Sequence, residues 1–254
     1  MTRMPLSVVI ITKNAASVLE PCLESILFAD EIVIVDSGSQ DQTLELAWKY
    51  NARTCFQSWL GFGPQKRFAV TRAKHDWVLC LDADERVTPR LRTSILEVLQ
   101  HPNHYAYRFP RRNRFLGRWL AHGEGYPDFS LRLFHRHHAT WSLDPIHEKV
   151  ETSQPVGQLA GDLLHESEQT LADYLTKQNL YTSLQADRLY ALGRPIPRYR
   201  IILSPLVRFI RYYFFRLGFL DGLPGLIHIA LGTCNSFVKY AKAYAKFMEE
   251  QQHP

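Results

Sequence analysis

The chain has 254 residues, enough for one large α/β domain with a sizeable core and an appendage, and this length argues against two full domains. The formal net charge is +5, and the region from Arg194 to Arg216 holds six arginines and no carboxylate, which indicates an anionic partner such as a membrane surface, a phosphorylated glycolipid or a nucleic acid. The four cysteines are widely spaced, so neither a zinc site nor a disulfide framework is predicted, and a reducing cytoplasm fits.

The N-terminal segment leads directly into a strand-like run, Leu6–Ile11. This run is too short for the apolar region of a signal peptide, and no cleavage site follows it. We therefore expect that the protein is not exported.

Strand-like runs alternate with helical patterns over the first hundred residues. The pattern predicts strands at 6–11, 31–36, 52–56 and 77–81, and helices at 16–27, 41–50, 64–74 and 89–100. This β-α-β-α order is typical of an α/β fold with a parallel sheet. The helix at 89–100 opens with a proline, whose missing N–H costs nothing in the first turn.

The pattern changes after His101 to short strand-like pieces rich in arginine, histidine and aromatic residues, at 105–111, 130–136 and 146–151. From Thr170 onwards it is helical again. We predict one domain over 1–168, in two halves at 1–100 and 101–168. A helical region follows at 169–254.

The segment 201–220 interleaves apolar residues with arginines. It does not reach the ~18 uninterrupted apolar residues of a membrane-spanning helix. One interpretation is a helix that lies in the headgroup plane of a membrane. The other is a buried C-terminal helix with solvated arginines.

Polar residues follow three of the predicted strands. They are Thr12-Lys13-Asn14, the stretch Asp36–Asp41, and Asp82-Ala83-Asp84-Glu85. Ligands of parallel α/β sheets bind outside the carboxyl ends of the strands, so these three ends are expected to converge on one site.

The acidic cluster at Asp82–Glu85 is the most informative of the three ends. Carboxylates are costly to place together unless a cation neutralises them, and Mg²⁺ or Mn²⁺ prefers carboxylate and phosphate oxygens. The pattern therefore predicts such a metal on a diphosphate. The alternative is that Asp82 or Glu85 merely caps the helix that begins near Pro89.

Two further groups of residues each have two interpretations. Asp36 either accepts hydrogen bonds from a nucleobase or ribose, or serves the turn before Gly38. Lys66 and Arg67 either contact the diphosphate or lie on a solvated helix face.

Three segments carry a family resemblance: Ser7–Asn14, Ile34–Thr43 and Trp77–Glu85. They resemble the signature segments of family 2 inverting glycosyltransferases. The resemblance implies an α/β fold of the GT-A type, with a Rossmann-like mixed, mainly parallel sheet, helices on both faces and, in this chain, a C-terminal helical appendage. It also places Thr12, Asn14 and Asp36 at the nucleotide of a nucleotide-sugar, and Asp82 and Asp84 at the metal and diphosphate. The domain at 1–168 is then the catalytic domain, with a nucleotide-sugar half at 1–100 and an acceptor half at 101–168.

A narrower resemblance rests on the segments 126–134, 146–148 and 222–240. They are similar to those of lipopolysaccharide-core enzymes that add β-1,4-linked glucose to the inner heptose. This similarity implies UDP-glucose as donor and a glycolipid acceptor. It also implies a peripheral location on the cytoplasmic face of the inner membrane.

An inverting transfer needs a carboxylate to deprotonate the acceptor hydroxyl. The candidates are Glu124, Asp128 and Glu148. Asp128 is the first choice because related enzymes place an acid just before an aromatic-x-x-Arg stretch, although it could instead be a helix cap or a partner for Arg132. Glu148, with His147 beside it, is the second.

By the same resemblance, a histidine after a later strand completes the metal shell, and His165 follows the apolar run 159–164. A structural role at the strand end is the alternative for this histidine.

Two other function classes compete with the transferase hypothesis. A sugar nucleotidyltransferase shares the sheet and the acidic motif, but it would be expected to carry a glycine-rich loop after the first strand, and Thr12–Ala16 contains no glycine. A nucleic-acid-binding module would fit the basic charge, but its acidic strand ends would repel phosphate. We therefore expect a nucleotide-sugar, a glycolipid and an anionic membrane surface as partners, and no nucleic acid.

Overall fold

The structure is a computed structural model, and it describes residues 3–144, 148–166, 170–193 and 196–252. Contacts between residues divide the chain into two compact units. The first comprises residues 1–112 and 128–166, and the second comprises residues 113–127 and 167–254.

Twelve strands lie in the described residues. In chain order they are β1 Leu6–Thr12, β2 Glu31–Asp36, β3 Arg53–Phe56, β4 Trp77–Asp82, β5 Glu85–Val87, β6 Ala106–Phe115, β7 Arg118–Trp119, β8 Asp128–His135, β9 Thr140–Trp141, β10 Val150–Glu151, β11 Val156–Gln158 and β12 Leu163–His165.

The main sheet has the order β3-β2-β1-β4-β8-β6-β12-β5. Strands β3, β2, β1 and β4 run parallel to one another. Strand β8 pairs antiparallel with both β4 and β6, and β12 pairs antiparallel with β5. Strand β11 pairs with β6 in parallel. Strands β9 and β10 form a separate antiparallel pair. Register places Thr12 beside Asp36 and Ile11 beside Asp82, so the polar ends of three strands lie along one edge.

Four helices belong to the first unit: α1 Ala16–Ser25, α2 Thr43–Lys49, α3 Phe62–Thr71 and α4 Pro89–Val98. Alternation along β1 sends Ile10 into a core shared with α1, α2 and α4, and sends Val9 into a second core shared with α3. Helices therefore cover both faces of the sheet. The predicted α/β fold, with a mixed, mainly parallel sheet and a C-terminal helical region, is confirmed.

The start of α4 resolves one alternative from the sequence. Thr88 caps this helix by accepting a hydrogen bond from the Leu91 backbone N–H at 3.3 Å, and Pro89 takes the first position. Because Thr88 does this work, neither Asp82 nor Glu85 is the helix cap.

The second unit is mainly helical. It contains α5 Leu171–Ala191, α6 Arg198–Ile210, a π-helix at Arg211–Phe215, a 3-10 turn at Gly218–Asp221 and α7 Gly222–Gln252. Thr170 and Asp173 form a reciprocal capping box at the start of α5. The buried Asp221 accepts hydrogen bonds from the backbone N–H groups of Ala121 and His122, which ties the segment 113–127 to these helices.

The sequence prediction assigned all of residues 101–168 to the catalytic domain. The contacts group residues 113–127 with the C-terminal helices instead, and the predicted boundary at 168 lies outside the described residues. The two-domain division stays a prediction.

Within the described residues, no single helix combines the length and hydropathy of a membrane span. The ranges Arg198–Phe215 and Gly218–Glu249 satisfy this criterion only together, with a bend of 73° between them.

Candidate functional site

The turn after β2 joins the first two polar strand ends. The buried carboxylate of Asp36 accepts hydrogen bonds from the Thr12 hydroxyl at 3.0 Å and from the backbone N–H groups of Gly38 and Ser39, each at 2.8 Å. Asn14 has a positive φ of 49° and accepts a hydrogen bond from the Gln40 N–H. Asp36 thus serves the turn, and the nucleotide contacts of Thr12, Asn14 and Asp36 stay predictions.

Two buried cations hold Asp82 at the end of β4. Lys66 Nζ lies 2.8 Å from Asp82 Oδ1, and Arg132 Nη2 lies 2.9 Å from Asp82 Oδ2. Burial works to raise the pKa of Asp82, but the two cations outweigh it and hold this pKa well below its usual range. Asp82 is therefore ionised and bound to Lys66 and Arg132, whereas Asp84 two residues later has a different partner.

The indole ring of Trp141 supports both cations. Lys66 Nζ lies 4.8 Å from the Trp141 ring centroid, and the Arg132 guanidinium carbon lies 5.3 Å from it. A desolvated cation over a tryptophan face is a favourable arrangement. Trp141 is 3% exposed, so it is buried beneath the site.

Helix α3 delivers Lys66 because it approaches the segment after β9 closely. A Cβ atom at Gly63 would clash with the carbonyl oxygen of Ser142, so only glycine allows this approach. Lys66 also reaches Glu148, whose Oε1 lies 3.3 Å from Lys66 Nζ. The structure thus brings three of the predicted site residues, Lys66, Asp82 and Glu148, into one ion-pair chain. The neighbouring His147 lies outside the described residues.

Asp128 pairs with Arg111 across two strands. Arg111 donates two hydrogen bonds to Asp128 Oδ2, from Nε at 3.0 Å and from Nη2 at 2.8 Å, and the two residues are direct cross-strand partners in β6 and β8. Arg132 is not the partner of Asp128. The two residues lie four positions apart on β8, which is about 13 Å along an extended strand. Burial works to lower the pKa of Arg111, but Glu85 and Asp128 outweigh it and raise this pKa.

Glu85 links these two ion-pair groups. Its side chain is fully buried, and Oε1 lies 3.1 Å from Arg132 Nη2 and 3.6 Å from Arg111 Nη1. Its other oxygen accepts a hydrogen bond from the Asp82 backbone N–H at 2.9 Å. A buried carboxylate requires such pairing. Glu85 therefore fixes the turn between β4 and β5 that carries Asp84.

Asp84 lies beside His165. Asp84 Oδ2 is 3.2 Å from His165 Nε2, and the strands β5 and β12 that flank this contact pair antiparallel, with His165 opposite Glu85. Neighbouring ligands of an octahedral ion with bonds of 2.0–2.1 Å are about 3 Å apart. The spacing of these two side chains therefore fits two ligands of one divalent cation, with diphosphate oxygens to supply the others. Within the described ranges, no group of three or more His, Cys, Asp or Glu side chains is placed to hold a metal ion.

Arg132 and Arg111 were not predicted as site residues, and Glu85 was predicted only as a member of the acidic cluster. Arg132 is the most informative of them, because its Nη1 is buried and has no hydrogen-bond partner among the described residues. A buried guanidinium with an unused donor is an unusual feature that can serve an anionic ligand. The arginine after an aromatic-x-x pattern in the sequence was the available signal.

Glu124, a further candidate base, belongs to the second unit. It forms an ion pair there with Arg208.

Two solved structures align weakly with this chain. TarS of S. aureus in complex with UDP-GlcNAc is 14% identical, with coverage of 97% of this chain and 92% of that chain and a TM-score of 0.49. The glucosyl-3-phosphoglycerate synthase of Mycobacterium tuberculosis, solved with Mn²⁺, UDP and glucosyl-3-phosphoglycerate, is 22% identical over 44% of each chain, with a TM-score of 0.37. The family assignment depends instead on the sequence comparisons.

Those comparisons cover most of the chain. The lipopolysaccharide core biosynthesis glycosyltransferase LpsC of Rhizobium meliloti is 32% identical over 252 residues, which are 96% of this chain and 93% of the relative. A glycosyltransferase of Rickettsia bellii is 27% identical, over 93% of this chain and 85% of the relative. The model of glycosyl transferase family 2 matches residues 7–152, more than half of the sequence. The chain belongs to glycosyl transferase family 2.

Proposed function

We propose that the protein is an inverting hexosyltransferase that moves glucose from UDP-glucose to a heptose of the lipopolysaccharide core or to a similar glycolipid. The observation that carries the proposal is the 32% identity with LpsC over nearly the whole of both chains. The ion-pair chain around Asp82 and the residue Asp84 lie in the part of the chain that the family model matches, whereas His165 lies beyond it.

Asp128 is the proposed general base. Arg111 holds its Oδ2, while Oδ1 accepts no hydrogen bond from any described residue, and the side chain is 40% exposed. In the proposed step, Asp128 takes the proton of the acceptor hydroxyl while the oxygen attacks the anomeric carbon from the face opposite the leaving group. The new C–O bond forms as the bond to the diphosphate breaks, and UDP departs with the electron pair.

Lys66 and Arg132 are proposed to face the diphosphate. In the structure they neutralise Asp82, and the buried Nη1 of Arg132 donates no hydrogen bond to any described residue. Charge-assisted hydrogen bonds from such donors are strong at a phosphate. The two cations would therefore stabilise the charge that develops on the leaving diphosphate.

Asp84 and His165 are proposed to hold Mg²⁺ or Mn²⁺. The mixed carboxylate and imidazole donor set favours Mn²⁺ of the two, because imidazole suits transition metals better than Mg²⁺. The ion would supply Lewis-acid stabilisation to the diphosphate when bound. Asp82 pairs with Lys66 and Arg132 in the structure, and its place in the metal shell stays a prediction.

A panel of donors tests the proposed function. Thermal unfolding is measured with UDP-, GDP-, ADP- and CMP-sugars, each with and without Mn²⁺. We expect UDP-glucose to stabilise the protein against thermal unfolding, and we expect labelled glucose to be transferred from it to core glycolipid. A nucleoside triphosphate that stabilises the protein and is converted with a sugar phosphate to a nucleotide-sugar would instead establish a nucleotidyltransferase.

A further inference from the structure

Helix α6 exposes its apolar face. The exposed side chains at helical spacing along α6 and the following π-helix form what we call the apolar stripe: Tyr199, Ile202, Leu203, Leu206, Val207, Ile210 and Phe214. Ile202 is 73% exposed and Leu206 is 52% exposed. A contiguous exposed apolar patch on a helix marks an interaction surface, because single exposed residues would be scattered.

The opposite face of α6 is the one that packs inside the second unit. Pro205 is buried there, and Arg208 points inward to form an ion pair with Glu124, with Arg208 Nε 3.2 Å from Glu124 Oε2. Ile201 packs on the same inner face, against the buried cluster of Ala186, Ile196 and Ala243. A helix on the surface of a water-soluble protein keeps its large apolar side chains on that inner face and polar ones outside, so the exposed apolar stripe departs from this pattern. The Arg208–Glu124 pair therefore fixes an orientation that leaves the apolar stripe outside.

Exposed arginines border the apolar stripe. With about 100° of rotation per residue, Arg198 lies on one side of it and Arg200 and Arg211 lie on the other. The only carboxylate between residues 188 and 248 of the sequence is Asp221, which is buried. The surface therefore combines an apolar centre with positive edges, and this stretch of the chain contributes no exposed carboxylate to it.

The exposed apolar surface continues past α6. Phe215, which ends the π-helix, is 80% exposed, and it is followed by exposed Leu217, Phe219, Leu220 and Leu223. Aromatic and leucine side chains beside arginines are the residues that insert at the boundary between headgroups and acyl chains.

We infer that the apolar stripe lies in the headgroup region of an anionic lipid bilayer, with Arg198, Arg200 and Arg211 at lipid phosphates. A second copy of the chain fits this surface less well. A twofold dimer through the apolar stripe would bring its bordering arginines near those of the partner with no carboxylate between them, and like charges at an interface are costly. An anionic membrane supplies both the apolar phase and the opposite charge.

Vesicle sedimentation tests the inference without donor or acceptor. The full-length protein is mixed with vesicles of phosphatidylcholine alone and of phosphatidylcholine with phosphatidylglycerol, at low and at high salt. We expect binding to the anionic vesicles at low salt, weaker binding at high salt because the charges are screened, and little binding to phosphatidylcholine alone.

Two triple variants separate the contribution of the arginines from that of the apolar side chains. Arg198→Gln, Arg200→Gln and Arg211→Gln together should lower the partition onto anionic vesicles by about a hundredfold, given the usual attraction per basic residue. The control removes three exposed arginines from the first unit, by Arg72→Gln, Arg90→Gln and Arg92→Gln, and should bind as the unchanged protein does.

The apolar contribution is removed by Ile202→Ser, Leu206→Ser and Ile210→Ser, which should also release the protein from vesicles. The matched control changes three exposed leucines elsewhere in the second unit, by Leu175→Ser, Leu180→Ser and Leu192→Ser. Circular dichroism confirms that each variant folds.

Three results would overturn the inference. They are no binding of the unchanged protein to anionic vesicles at low salt, an equal loss in variants and controls, or a dimer in analytical ultracentrifugation that the serine variant dissociates. The last result would assign the apolar stripe to a second copy of the chain.

Discussion

Arg111 donates both of its hydrogen bonds to the same oxygen of Asp128. The two residues face each other across β6 and β8, so the contact is set by strand register rather than by a flexible loop. A carboxylate held at one oxygen presents the other in a fixed direction. This arrangement suits a group that must meet an acceptor hydroxyl at a defined angle.

Asp128→Asn should lower kcat by roughly 10²–10⁴, the usual contribution of a positioned base, while the affinity for the donor stays nearly unchanged. Steady-state kinetics with a core glycolipid acceptor measure kcat, and calorimetric titration with UDP measures donor binding. The matched variant is Glu148→Gln, which removes the carboxylate next to Lys66. If Glu148→Gln loses turnover and Asp128→Asn keeps it, the base is Glu148.

The strand ends of this site were predictable from the sequence, and their partners were not. Apolar β-branched runs that stop at Asp36 and at Asp82 indicate buried strands with polar ends, and the structure places both there. The cations on Asp82 come from α3, which precedes β4 in the chain, and from β8, whose position depends on its pairing with β4. Strands β4 and β8 lie far apart in the chain, so their pairing is a tertiary contact with no local sequence signal.

Which face of α6 is exposed was likewise not predictable from the sequence. Its sequence has an apolar face and arginines, which fit both a buried and an interfacial helix. The choice depends on Arg208, which turns inward because Glu124 lies 84 positions earlier in the chain and within reach. A contact at such a separation is tertiary and leaves no periodic signal.

Asp84→Ala and His165→Ala should each abolish the binding of Mn²⁺ in the presence of UDP, because the two side chains lie 3.2 Å apart and are proposed to share the ion. Electron paramagnetic resonance of Mn²⁺ measures the free ion directly. Both side chains are about a quarter exposed, so thermal unfolding without ligand should change little.

The control for the metal prediction is His137→Ala. This histidine is exposed and contacts Asp76 on the same unit, away from the Asp84–His165 pair in the sheet order. It should bind Mn²⁺ and UDP as the unchanged protein does. Full Mn²⁺ binding by Asp84→Ala would refute the proposed ligand.

Arg132→Gln should lower the free energy of unfolding by about 3–5 kcal/mol, because it leaves the fully buried Glu85 without its main partner. Urea unfolding followed by circular dichroism measures the change. Adding Glu85→Gln should recover part of the loss, since the remaining buried charge is then removed.

An exposed ion pair provides the comparison for Arg132. Lys49→Gln breaks a contact with Glu20 in which both side chains are largely open to solvent, and water screens such pairs, so the free energy of unfolding should change little. A similar small effect for Arg132→Gln would mean that the buried network is not a source of stability.

Glu31 lies at the start of β2 and is held by three groups. It accepts hydrogen bonds from the Ser7 hydroxyl at 2.6 Å, from the Lys74 backbone N–H at 2.7 Å and from Arg53 Nη2 at 2.9 Å. Burial works to raise the pKa of Glu31, but these contacts outweigh it and lower the pKa below its usual value of 4.5. The ionised form is therefore favoured in the folded state.

A carboxyl group with a lowered pKa in the folded state stabilises the fold above its unfolded pKa, and this stabilisation is lost as the pH falls through the folded value. Glu31→Gln should thus lower the free energy of unfolding at pH 7 by about 1–3 kcal/mol, as expected for hydrogen bonds to a charged group. The difference from the unchanged protein should shrink as the pH falls below 4.5. Urea unfolding at several pH values measures it, with the exposed Glu151→Gln as a control that changes stability by at most about 1 kcal/mol. A difference that stays constant from pH 7 to the acid range would show that the contacts of Glu31 do not favour its charged form.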